Sequence, residues 1–119
     1  MFKTVLLWSH HLLATSKRKD IVSWSRELRL AGYSRPGHPG AILIEGAQPD
    51  VDEFVSRIKA LRWQALQVRG EEVRASRRLD FDGDGVSEVE GLGDIVEELR
   101  KKDQELATWF LEGMKIGRG

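Results

Sequence analysis

The sequence predicts a small α/β (α+β) fold of ferredoxin-like type, a βαββαβ sandwich with a C-terminal helical extension. Three observations predict it. Two short runs rich in Val, Leu and Ile, Thr4–Ser9 and Ala41–Glu45, read as strands covered on both faces. Apolar residues recur at spacings of three and four after each of those runs, as one face of a helix requires. Gly and Pro cluster between the periodic segments and divide the chain into strand, helix, weak strand, strand, helix, strand.

The elements follow in order. Val5–Trp8 is too short for the apolar core of a signal peptide and no small-residue cleavage site follows, so the first run is a strand. Ile21, Trp24, Leu28 and Ala31 mark a helix from about Lys17 to Ala31, with Ser16 as N-cap and Gly32 as the C-terminal glycine. Pro36, Pro39 and three glycines demand a turn between Gly32 and Gly40, and Tyr33–Arg35 reads as a short edge strand. Ala41–Glu45 is the next buried strand, ended by Gly46. Asp50 and Glu53 resemble a capping box with Pro49 just outside, ahead of the helical stripe Val51, Phe54, Val55, Ile58 and Leu61. Alternation from Trp63 to Arg69 gives the last strand of the core.

The core therefore spans residues 1–72, a charged loop 73–91, and a helical extension 92–116, within one domain of 119 residues. Such a sheet carries two helices on one face, and the residues after Arg69 suffice to cover the other. Leu92, Ile95, Val96 and Leu99 begin one helix. Asp103 is placed to cap a second, carrying Leu106, Ala107, Trp109, Phe110, Leu111 and Met114; one long helix is the alternative. The chain starts with a strand at once, as a domain taken from a longer protein would.

Composition excludes several classes. The chain has no cysteine, which removes disulfides, thiolate catalysis and cysteine zinc sites together. Acids and bases balance at 19 each, which argues against a surface uniformly coated for nucleic acid but leaves room for local basic patches. No apolar run approaches a membrane span. An intracellular protein is expected, with nucleus or cytoplasm undecided and no membrane partner.

Binding residues are easier to nominate than catalytic ones. His10 and His11 follow the first strand, and Lys17, Arg18 and Lys19 form a basic cluster at a helix start, where exposed amides also favour a phosphate. Arg35 and His38 lie in the Pro/Gly turn, and Arg62 and Arg69 flank the last strand. Trp8, Trp24 and Trp109 fall on apolar stripes and read as core, whereas Trp63 stands at a helix-to-strand junction. No strand carries the aromatic signature of an RNA-recognition motif, so stacking of RNA across the sheet face is disfavoured. The run Asp80–Gly85 reproduces the first half of a calcium loop, with Asp80, Asp82, Asp84 and Glu88 as candidate ligands. Gly91 stands where the bidentate Glu belongs, so an acidic turn is the more economical reading. No nucleophile elbow, P-loop or zinc-protease motif occurs. Acyl-phosphate hydrolysis on such a fold needs an Arg loop after the first strand, where this chain has Ser9-His10-His11. No catalytic residue and no cofactor is expected.

The segments Leu7–His11, Lys17–Lys19, Gly32–Gly40 and Ile44–Gly46, with Arg57 and Leu61-Arg62-Trp63, resemble the C-terminal domain of the pre-mRNA-processing factor three family of spliceosomal proteins. The resemblance is closer to the branch in which that domain follows an RWD domain. It covers about residues 3–72. It implies a ferredoxin-like fold, an RWD domain preceding this one in the full-length protein, and contact with RNA or a ribonucleoprotein. Two functions follow as expectations: a non-enzymatic RNA-binding domain, or a protein–protein interaction module acting with the RWD domain.

Overall fold

The computed structural model describes residues 1–79 and 84–115. A five-stranded mixed sheet lies between two helical layers. The elements are β1 (Phe2–Ser9), α1 (Thr15–Glu27), β2 (Ala31–Arg35), β3 (Gly40–Ala47), α2 (Gln48–Ala60), β4 (Leu66–Arg74), β5 (Gly85–Glu88), α3 (Leu92–Lys102) and α4 (Gln104–Met114). Strand order is β4-β1-β3-β2-β5, with β5 parallel to β2 and the other pairs antiparallel. The ferredoxin-like order expected from the sequence is present.

The two faces of β1 explain its continuous apolar run. Val5 and Leu7 point into one core with Ile21 of α1 and Val51, Phe54 and Ile58 of α2. Leu6 and Trp8 point into another with Ile95 and Leu99 of α3 and Leu106, Ala107 and Phe110 of α4. The C-terminal helices thus cover the second sheet face. Phe54 and Phe110, both fully buried, anchor the two layers, and removing an aromatic ring from such a site typically costs about 3–5 kcal/mol. The extension is two helices: the Asp103 carboxylate accepts from the Glu105 and Leu106 amides and starts α4 afresh.

Several boundaries differ from the sequence reading, each for a local reason. α1 starts at Thr15 with Ala14 as its cap, so Ser16 lies inside the first turn. It ends before Gly32, because Arg29 takes the left-handed conformation (φ 58°) and a Schellman pair closes the helix. Leu30 N–H donates to Ser25 O at 2.8 Å and Arg29 N–H to Arg26 O at 3.1 Å. Gly32 is instead a strand residue at φ 147°, where any Cβ would sit 1.8 Å from the Leu43 carbonyl oxygen. α2 starts at Gln48, with Pro49 in its first turn where the missing N–H costs nothing. Glu53 closes no capping box; it pairs with Arg57 at 2.8 Å.

The last core strand was expected at Trp63–Arg69 and lies at Leu66–Arg74, crossing the expected boundary at residue 72. Leu61–Ala65 forms the connection before it. The charged segment 73–91 contains β5, which pairs with β2 from Ala31↔Gly85 to Ser34↔Glu88. Consequently β2 is not an edge strand. Val86 is the one buried residue of β5, so this strand leaves no alternating trace within the charged stretch.

Candidate nucleic-acid interface

Three connections meet at the end of the sheet where β1 finishes: residues 10–14 after β1, residues 36–39 between β2 and β3, and residues 61–65 between α2 and β4. Backbone bonds fix them together. Leu12 and Gly37 exchange two N–H···O bonds, at 2.9 and 3.0 Å, and His10 N–H donates to Ala65 O at 3.2 Å. Leu12 is buried and pins the first connection to the core. The Arg35 guanidinium crosses the turn, donating to Pro39 O at 2.8 Å and to Glu90 O at 3.1 Å.

This framework gathers all three histidines of the chain. The ring centroids of His10, His11 and His38 lie 5.6, 6.3 and 5.4 Å apart. His10 and His38 are exposed; His11 is half-buried, with Nε2 2.9 Å from Gln64 Oε1. Beside them, the Lys17 ammonium stands 4.5 Å from the centre of the Trp63 ring. The indole N–H of Trp63 donates to Ile58 O at 2.7 Å, which fixes that ring at the rim of the core. Adjacent residues cannot share a face in an extended chain, yet His10 and His11 both reach this cluster because β1 has ended at Ser9.

The other nominated residues divide. Arg62 is exposed in the same connection as Trp63. Arg18 and Lys19 line a neighbouring groove of about 600 Å³ between α1 and β5, with Thr15, Val22, Ser23, Arg26 and Glu88. Arg18 is committed there: its Nε and Nη2 donate to the two Glu88 oxygens, each at 3.0 Å, and that pairing raises its pKa further above the ordinary value. Arg69 lies apart. It stacks on Trp8 at 4.5 Å and donates from Nη1 to Gly113 O and Lys115 O, so it holds the end of α4.

Of the candidate cation ligands, Asp80 and Asp82 lie outside the described residues. The Glu88 oxygens already serve Arg18. No group of three His, Asp or Glu side chains among the described residues is disposed to hold a metal ion. Trp63 is the residue that sequence reasoning left unassigned, and its position just after a helix, ahead of an arginine-flanked connection, was the available signal.

Several cations at this end lack an ion-pair partner, although Asp20, Glu88 and the exposed Glu90 stand nearby. Among the described residues, none of His10, His11, His38, Lys17, Lys19 or Arg62 has a carboxylate within ion-pair distance. Lys17 and Lys19 also sit in the first turns of α1, which holds no acidic residue in its first turn to offset the helix dipole. The arrangement offers unpaired cations, an aromatic ring and ring N–H donors on one exposed surface.

Known proteins place this geometry in a family. The family described as "Small nuclear ribonucleoprotein Prp3, C-terminal domain" matches residues 5–111. A curated relative, phomoidride biosynthesis cluster protein F of a fungal species (strain ATCC 74256), is 28% identical over 102 residues. That match covers 83% of this chain, which spans about a third (33%) of the relative's length. Among solved structures, "BlrP1 BLUF" aligns with TM-score 0.67 at 15% identity, covering 97% of this chain and 93% of that one. The BLUF protein BlrB aligns with TM-score 0.60 at 24% identity over 94% and 86%. Acylphosphatase from Bacillus subtilis gives 0.56 at 20% identity over 75% and 99%. These likenesses show the ferredoxin-like fold. The chain belongs to the Prp3 C-terminal domain family.

Proposed function

From membership in the Prp3 C-terminal domain family, we propose that the chain is a non-enzymatic, RNA-contacting domain of an intracellular ribonucleoprotein, binding single-stranded RNA at its histidine end. The observation that carries this is the gathering of His10, His11 and His38 against the connection that holds Gln64 and the Lys17–Trp63 pair, with no ion-paired carboxylate on these cations among the described residues. Single-stranded RNA needs cations for phosphates and a ring on which a base stacks, and this surface supplies both. The buried second sheet face argues against stacking of bases across the strands. Within this reading Lys17 and Arg62 contact phosphates, Trp63 stacks, and Lys19 extends the basic path along α1, while Arg18 stays paired with Glu88. Salt-dependent binding to a single-stranded oligonucleotide tests it. Micromolar affinity at low salt is expected, falling steeply as salt rises; lack of binding at low salt contradicts it.

A second reading is a protein-interaction module acting with an RWD domain in the full-length protein. It is favoured by β4, an edge strand of nine residues whose Val68 and Val73 are exposed. Edge strands of this kind accept an added strand from a partner. Crosslinking of a partner peptide to β4 in the full-length protein supports it, and crosslinks confined to other surfaces oppose it.

A further inference from the structure

We propose that His10, His11 and His38 form a proton-coupled phosphate clamp, so that binding of single-stranded RNA takes up protons and tightens as pH falls. This rests on the RNA reading of the same end and adds its regulation.

The argument starts from placement. The chain holds three histidines, and all three converge from two segments with centroids 5.4 to 6.3 Å apart. Imidazole is the side chain whose ordinary titration falls between pH 5 and 8. A phosphate laid against the rings favours their protonated, cationic form. Linkage then fixes the sign: a complex that holds more protons than the free protein forms more readily at lower pH.

The surroundings strengthen the coupling. In the first turns of α1 the charged groups are Lys17, held over Trp63, Arg18, neutralised by Glu88, then Lys19 and Asp20, with Arg26 and Glu27 at the far end of the helix. On β2 Arg35 is bound to the Pro39 and Glu90 carbonyls. The connection before β4 brings Arg62 and the neutral Gln64, which steadies His11. At the end of β5 stands Glu88, occupied by Arg18, and just beyond it the exposed Glu90. Among the described residues no histidine has an ion-paired carboxylate to stabilise its protonated form in advance. No described carboxylate does so, and the phosphate of a bound RNA supplies such an anion.

Calorimetric titration of the chain with an oligouridylate tests this, since uridine does not titrate in the relevant range. The measurements run with EDTA at about pH 8 and about pH 5.5, in buffers of different ionisation enthalpy so that proton uptake is read directly. Binding about tenfold tighter at the lower pH is expected, with net proton uptake and a steeper salt dependence. The double variant His10→Gln/His38→Gln, which alters only exposed rings, and the triple variant adding His11→Gln should lose most of the uptake and bring the two affinities together. Binding that is equal at both pH values without proton uptake overturns the clamp and leaves the RNA reading standing. Proton uptake that survives in the triple variant also overturns it. Absence of binding at either pH overturns the RNA reading, and the clamp with it.

Discussion

The two ends of the sheet carry opposite electrostatic designs. At the end where β1 begins, cations are matched with acids. Lys3 bridges Asp52 and Glu71 at 2.7 and 3.0 Å. Arg78, whose side chain is only 5% exposed, bridges Glu72 at 2.6 Å and Asp103 at 2.9 Å. The buried Glu45 accepts from Thr4 Oγ1 and from the Arg78 and Leu79 amides, all within 2.9 Å, and so draws the segment after β4 onto the sheet. At the opposite end, Arg18–Glu88 is balanced, but the histidines, Lys17 and Arg62 are not. Although the chain is neutral overall, these cations have no ion-paired carboxylate among the described residues. Net charge alone hides this; its distribution separates the architectural end from the proposed binding end.

The contrast predicts that variants at the paired end change stability and leave RNA affinity intact, while variants at the histidine end do the reverse. The largest effect is expected for Glu45→Ala. It strands two backbone N–H groups and a hydroxyl, at a cost of about 3 kcal/mol in denaturant unfolding. Arg78→Met follows, at about 2 kcal/mol, because it leaves Glu72 and Asp103 without their shared cation. A loss of RNA affinity in either folded variant would break the distinction. On the other side, Trp63→Ala should weaken binding of single-stranded RNA by about 1–3 kcal/mol through lost stacking. Lys17→Glu should weaken it about tenfold and reduce the salt slope by about one. The smallest expected change is a gain: Arg29→Gly relieves the left-handed residue that ends α1, adding up to about 1 kcal/mol of stability with no change in affinity.

pH sharpens the same contrast. The Arg78 hydrogen bond holds Asp103 below its ordinary value of 3.8, with the coulombic attraction of Arg78 and the α4 amides acting in the same direction. A depressed carboxylate contributes stability that is complete above its unfolded value and is lost as pH falls through the folded one. The paired end should therefore weaken only below about pH 4, while RNA affinity changes in the higher range where imidazoles titrate. A thermal unfolding series against pH, run beside the binding series, resolves the two windows.

Much of the fold could be read from sequence because burial leaves a periodic trace. Val5, Leu6, Leu7 and Trp8 announced a strand covered on both faces, and Asp103 was readable as a cap for a second helix, with one long helix as the alternative until its carboxylate was seen to accept from the Glu105 and Leu106 amides. Boundaries were misread where a tertiary contact overruled a local preference. Gly32 looked like a helix stop, yet the close approach of the β3 backbone claims it for a strand, and Arg29 does the stopping. β5 stayed hidden because its four residues lie among charges and gain their strand character from β2. For the candidate interface, the histidines and Lys17 were legible as residue types. Their convergence was not, since it depends on the Leu12–Gly37 pairing across two turns. Arg69 was nominated for its charge alone, and its backbone acceptors in α4 lay beyond any sequence signal.

The central claim is that RNA engages the histidine end alone, and chemical-shift mapping with an oligouridylate tests it most directly. Shifts concentrated at residues 10–19, 36–40 and 61–65 are predicted, with Thr4, Glu45, Arg78 and Asp103 unmoved. Shifts centred on β4 and α4, or none at saturating RNA and low salt, would contradict the account.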